Sequence, residues 1–202
     1  MSRYRRKDAY YAQAKAAGLR SRAAYKLEQL QKHYKLLGRG DKVVDLGAWP
    51  GGWLQVAARI VGPQGKVIGV DSVRIPPLPE APQVTTLEAD VFEPELAERV
   101  RRLLGGEADA VLSDLAPKLS GIKDRDQAQA LALVERAAEL AREWLRPGGV
   151  LVAKAFMGED LPQVLKTLRQ EFTNVMTTRP EATRKGSSEL YVIARKPEKT
   201  SA

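Results

Sequence analysis

Two lysines and two carboxylates are the residues best suited to chemistry in this chain of 202 residues: Lys26, Asp114, Lys154 and Glu189. Lys154 lies inside the apolar run Val150–Phe156, where a charged side chain is costly to bury without a partner. Asp114 ends the run AVLSD, Glu189 opens ELYVIA, and Lys26 falls in a helical stretch near the N-terminus. Such a quartet suits deprotonation of an alcohol, because a hydroxyl is a poor nucleophile until a base takes its proton as the new bond forms. Lysine serves as that base where burial and a second cation disfavour its charged form. Lys154 is assigned that role, with Lys26 disfavouring its charge and positioning the incoming oxygen. Asp114 would orient Lys154, and Glu189 would orient a lysine or the substrate. Neighbouring carboxylates favour a lysine's charged form, and spacing alone leaves a plainer arrangement open: two structural ion pairs, Lys26–Glu189 and Lys154–Asp114.

A second cluster suits a bound cofactor. The run Val43–Leu46 leads into DLGAWPGGW, with Gly47, Gly51 and Gly52 ahead of Trp53. Glycines at a strand-to-helix turn let the backbone pass close to a ligand. The spacing is not the G-x-G-x-x-G of dinucleotide sites, and no Walker lysine follows. Asp71 ends the next apolar run, at the offset where a carboxylate takes ribose hydroxyls. Asp90 follows a third and is placed to accept from an adenine amino group. Together these suit a nucleoside-type ligand without a diphosphate, of which S-adenosylmethionine is the common one. Asp114 would lie near its methionine portion.

The elements that must position these groups alternate. Strands are predicted at Val43–Leu46, Lys66–Asp71, Val84–Leu87, Ala110–Asp114, Val150–Phe156, Val175–Thr178 and Glu189–Arg195. Helices are predicted at Leu54–Ile60, Pro94–Leu104, Asp126–Leu145 (ended by Pro147-Gly148-Gly149) and Leu161–Phe172. Helical spacing also runs from Lys15 to Tyr34, with Ser21 able to cap a second segment. Such alternation predicts an α/β doubly wound sheet, whose ligands bind beyond the carboxyl ends of the strands. Residues 1–34 are read as a basic N-terminal helical extension, 35–196 as the catalytic domain and 197–202 as a tail.

The net charge is +8. Residues 1–26 contribute eight cations (Arg3, Arg5, Arg6, Lys7, Lys15, Arg20, Arg22 and Lys26) against the single acid Asp8. A near-neutral body with a cationic extension points to a polyanion, nucleic acid ahead of membrane. Arg3, Arg5, Arg6, Lys7, Arg20 and Arg22 are the candidate nucleic-acid contacts. No membrane span and no secretory signal are expected, and a cytoplasmic monomer is. With no cysteine and only His33, in the polar stretch QKHYK, no metal site is expected.

The motifs RSRAAYKL (20–27), DLG…GGW (45–53), SDLAP (113–117), VAKAF (152–156) and SSELY (187–191) occur in the order of a known family. The chain resembles the FtsJ/RrmJ-type 23S ribosomal RNA 2′-O-ribose methyltransferases across residues 20–191. The resemblance implies a Rossmann-like methyltransferase fold with a seven-stranded, mostly parallel sheet. It implies a catalytic tetrad on Lys26, Asp114, Lys154 and Glu189, and S-adenosyl-L-methionine contacts at Gly51, Trp53, Asp71, Asp90 and Asp114. The implied substrate is a uridine ribose of 23S rRNA in the large ribosomal subunit. Trp49 and Ala153 depart from the family's usual alanine and valine. The rival readings are a 2′-O-methyltransferase of tRNA or an mRNA cap, a base N-methyltransferase, and a non-catalytic RNA-binding module. The Asp114-Leu115-Ala116-Pro117 loop lacks the second proline and the aromatic residue of the base enzymes. A binding module gains little from a lysine in an apolar strand.

Overall fold

A computed structural model describes residues 9–118 and 120–198. Seven strands form one sheet in the order β3-β2-β1-β4-β5-β7-β6. They are β1 (Lys42–Leu46), β2 (Lys66–Asp71), β3 (Val84–Glu88), β4 (Ala108–Ser113), β5 (Leu145–Phe156), β6 (Thr173–Thr178) and β7 (Glu189–Arg195). All pairings from β3 across to β5 are parallel, whereas β7 runs antiparallel to both neighbours. The order reverses between β1 and β4, the kind of switch point at which α/β sheets bind ligands.

Helices cover both faces. On one side lie α2 (Ala23–Tyr34) and α3 (Gly52–Val61); on the other lie α4 (Leu96–Leu104), α5 (Lys123–Trp144) and α6 (Leu161–Glu171). The central strands are buried on both sides, which is why they read as continuous apolar runs rather than alternating ones. Ala24, Leu27 and Leu30 dock α2, and each buried leucine contributes about 1.5–3 kcal/mol. The same buried face carries Lys26, which helix packing thus delivers to the sheet.

The predicted helical run from Lys15 is two helices, α1 (Ala9–Ala16) and α2, broken at Gly18 with φ of 67°. Ser21 caps neither: α2 follows Arg22 without a side-chain cap, and the Ser21 hydroxyl packs against Gly52. Pro147-Gly148-Gly149 does not end α5 either. The helix stops at Trp144, and β5 begins at once with Leu145 extended at φ −68° and ψ 139°. The proline and glycines form an irregularity in β5, where Leu145 pairs Ala108 and Val150 pairs Ala110. Among the described residues no helix is long and apolar enough to cross a membrane.

Asp45 is fully buried, and neither carboxyl oxygen has a hydrogen-bond partner among the described residues. Burial raises its pKa well above the ordinary carboxylate range, and Asp114 and Asp71 push the same way. The native state therefore keeps a proton that the unfolded chain releases near pH ~4. Stability is expected to fall as pH rises from there towards the raised value. Asp45→Asn removes this titration, so urea midpoints at pH 5 and pH 8 should differ less in the variant than in the parent. Equal differences would show that Asp45 titrates alike in both states.

Candidate active site

Lys154 and Tyr191 are partners in the antiparallel β5–β7 register, and Phe156 pairs Glu189. Asp114 follows β4, which lies beside β5. Strand order alone therefore brings Asp114, Lys154 and Glu189 to one edge of the sheet, and α2 adds Lys26 from above. Lys26 Nζ lies 2.6 Å from Glu189 Oε1. Lys154 Nζ donates to the Asp114 carbonyl at 2.7 Å and lies 3.2 Å from its Oδ1. Both lysines are 8% exposed.

The two ion pairs of the plainer arrangement are thus present, and a residue that the sequence reading missed joins them. The Tyr191 hydroxyl donates to Asp114 Oδ1 at 2.6 Å and accepts from Lys26 Nζ at 3.3 Å. Its pKa is raised well above the ordinary phenol value by burial first, and by Asp114 and Glu189 next. Tyr191 is therefore a neutral bridge that fuses two ion pairs into one network. The signal was available: Glu189 and Tyr191 are two apart on one strand and so share a face.

Beside the network lies a cavity of about 510 Å³ lined by Gly47, Trp49, Asp71, Asp90, Phe92 and Asp114 among others. Asp71 accepts from the Trp49 and Val73 amides at 2.9 Å each, and Asp90 from the Phe92 amide at 2.9 Å. These bonds fix both carboxylates at their strand ends. Three carboxylates and Lys118 make a lining suited to hydroxyls, an amino group and a cationic ligand, and unsuited to a diphosphate.

Gly51, Gly52 and Trp53 do not line this cavity. The glycines make room for the chain itself. A Cβ on Gly47 would stand 3.0 Å from the Leu115 nitrogen, one on Gly51 3.0 Å from Arg20 Cδ, and one on Gly52 2.2 Å from Ser21 Oγ. The Trp53 indole is buried and donates to the Ala23 carbonyl at 2.7 Å. Arg20 is likewise committed within the protein: its guanidinium donates to the carbonyls of Pro50 (3.3 Å), Pro76 (2.6 Å) and Pro77. These bonds tie Arg20 to the loop that carries Gly51 and to the Pro76–Pro77 segment. Arg22 donates to the Ala182 carbonyl on the β6–β7 turn. Arg3, Arg5, Arg6 and Lys7 lie outside the described residues.

The family model described as FtsJ-like methyltransferase matches residues 19–197. A ribosomal RNA large subunit methyltransferase E of Methanothermobacter thermautotrophicus is 46% identical over 191 residues, 95% of this chain and 90% of its own. The protein of that name from Myxococcus xanthus is 46% identical over 94% of this chain and 89% of its own. Among solved structures, one described as a ribosomal RNA methyltransferase of Plasmodium falciparum superposes with a TM-score of 0.77 at 25% identity. It covers 88% of this chain and 97% of that one. Fibrillarin of Aeropyrum pernix, solved with S-adenosyl-L-methionine, shares the fold with a TM-score of 0.58 at 22% identity, over 85% of this chain and 75% of its own.

Proposed function

The chain belongs to the FtsJ-like methyltransferases, and on that premise we propose that it methylates a ribose 2′-hydroxyl of a uridine in 23S rRNA of the large ribosomal subunit. The observation that carries this reading is the joined Lys26–Glu189 and Lys154–Asp114 network beside the carboxylate-lined cavity. The relatives named as large-subunit rRNA methyltransferases supply the substrate class.

S-adenosyl-L-methionine supplies an electrophilic methyl group when bound. Asp71, Asp90 and Asp114 would hold it, Asp71 through ribose hydroxyls, Asp90 through the adenine amino group and Asp114 on the methionine side. Gly51, Gly52 and Trp53 support the loop from behind. Lys154 takes the proton of the 2′-hydroxyl, and Asp114 holds the lysine through its carbonyl and carboxylate. Glu189 and Tyr191 fix Lys26, which steadies the incoming oxygen. Residues 1–34 bring the RNA, with Arg3, Arg5, Arg6, Lys7 and Arg22 against phosphates. The protein acts as a cytoplasmic monomer.

The test is incubation with methyl-labelled cofactor and, separately, large subunits, free ribosomal RNA and transfer RNA, followed by mapping of the label. Label on a uridine 2′-oxygen of 23S rRNA is the expected result. Label confined to transfer RNA or to a base would replace this reading by one of its rivals.

A further inference from the structure

The segment from Asp114 to Pro117 borders two cavities. The carboxylate-lined one lies on one side, and Pro117 also borders a second, of about 480 Å³. The N-terminal half of α5 is the partition. Gln129, Ala132 and Leu133 face the first cavity, whereas Gln127, Ala130, Leu131 and Val134 face the second. Spacings of three and four residues place each set on its own stripe of the helix. The far wall of the second cavity is the end of β5 (Ala155, Phe156, Met157) and the turn before β7 (Ser187, Ser188). These residues directly follow Lys154 and directly precede Glu189, and the Met157 amide donates to the Ser188 carbonyl at 2.8 Å.

The geometry points to this second cavity as the binding site for the uracil base of the acceptor nucleotide. The inference rests on the proposed ribose 2′-O-methylation and extends it from the sugar to the base. A methyl transfer needs a donor and an acceptor on two sides of one reaction centre, and the carboxylate-lined cavity serves the donor. The acceptor's base is attached to C1′, the carbon next to the one bearing the reacting oxygen. With that oxygen at Lys154, the base has to lie close to the strand ends that carry the network. The walls there are mainly aliphatic, with Phe156 and Met157 at the end of β5. Met157 is 51% exposed, an apolar surface that a bound base would cover. Polar groups share the lining: Lys123, Asp126, Ser187, Ser188, and Gln127, whose amide donates to Asp160 at 2.5 Å. Apolar faces with a few polar edge groups are what an unstacked base requires.

The test uses the full chain and large-subunit RNA made with uridine, or with an abasic ribose, at the methylated position. An abasic ribose keeps its 2′-hydroxyl. The parent protein should methylate it with kcat/KM reduced about ten-fold or more, an arm that needs no variant. Ala130→Trp fills the cavity from α5 and should lower kcat/KM for the uridine substrate by a similar factor. It should add little further loss on the abasic one and leave cofactor Kd unchanged. Equal methylation of abasic and uridine RNA by the parent would overturn the inference, as would an equal Ala130→Trp loss on both. Absence of methyl transfer to any uridine RNA by the parent would instead overturn the proposed reaction, so the two failures are distinct.

Discussion

Lys154→Arg is expected to lose methyl transfer as completely as Lys154→Ala, about 10³-fold in kcat, while both variants keep the parent's cofactor Kd. The magnitude is that of removing a positioned general base. Arginine is the informative replacement because it keeps the charge and can still pair with Asp114, yet it does not give up its proton. If Lys154 only tied β5 to Asp114 through its contacts at 2.7 and 3.2 Å, arginine would preserve most turnover. The base role predicts the opposite. Cofactor binding should survive because Lys154 is not among the residues lining the carboxylate-lined cavity. Single-turnover methyl transfer with isothermal titration of the cofactor separates the two effects. Arginine activity above about a tenth of the parent's would remove Lys154 from the base role.

That substitution also bears on what could be read without coordinates. The central strands are legible because a parallel sheet buried on both faces leaves apolar runs such as those before Asp71 and Asp114. The Lys154–Asp114 pairing is legible because Lys154 interrupts such a run with a charge that needs a partner. The glycine loop reads as a ligand cradle; Gly47 lines the cavity, and the chain itself also approaches Gly47, Gly51 and Gly52 closely. Glycine reports that something approaches the backbone closely, and sequence cannot say whether it is a ligand or the chain's own Leu115, Arg20 and Ser21. The role of Arg20 is ambiguous in sequence for a related reason. Charge composition counts cations without revealing which have their donors taken by carbonyls 30 or more residues away in sequence. Tyr191 was overlooked because an aromatic in a buried strand is usually core; here its ring does pack against Trp53, at 5.7 Å between centroids, while its hydroxyl joins the network. The α5 partition between two cavities is a matter of long-range packing, which has no local signature.

The hydrogen bonds that Arg20 makes within the protein divide the basic N-terminus into two parts with opposite expected behaviour. Removing residues 1–8 deletes Arg3, Arg5, Arg6 and Lys7 together with Asp8. If each of the four cations meets a phosphate, the slope of log K against log salt should fall by about 0.7–0.9 per contact. The summed loss corresponds to RNA affinity about 10³-fold weaker near 0.1 M salt. Cofactor Kd should not change, because among the described residues the contacts to the glycine loop and to the helix after it are made by Gly18, whose carbonyl accepts from Gln55, and by Arg20. Arg20→Ala should reverse this pattern. The carbonyls of Pro50, Pro76 and Pro77 lose their common donor, and a bond to a charged group is worth about 1.5–3 kcal/mol. An approximately ten-fold rise in cofactor Kd is expected, with the RNA salt slope unaltered. Titrations at several salt concentrations, alongside calorimetry of the cofactor, read both quantities on both proteins. A lower salt slope for Arg20→Ala would return Arg20 to the RNA surface, and an unchanged slope on removing residues 1–8 would make that segment mere solvated charge. The crossed outcome means that one short stretch of chain meets RNA at its start, fastens the cofactor loop at its middle and supplies Lys26 to the reaction centre at its end.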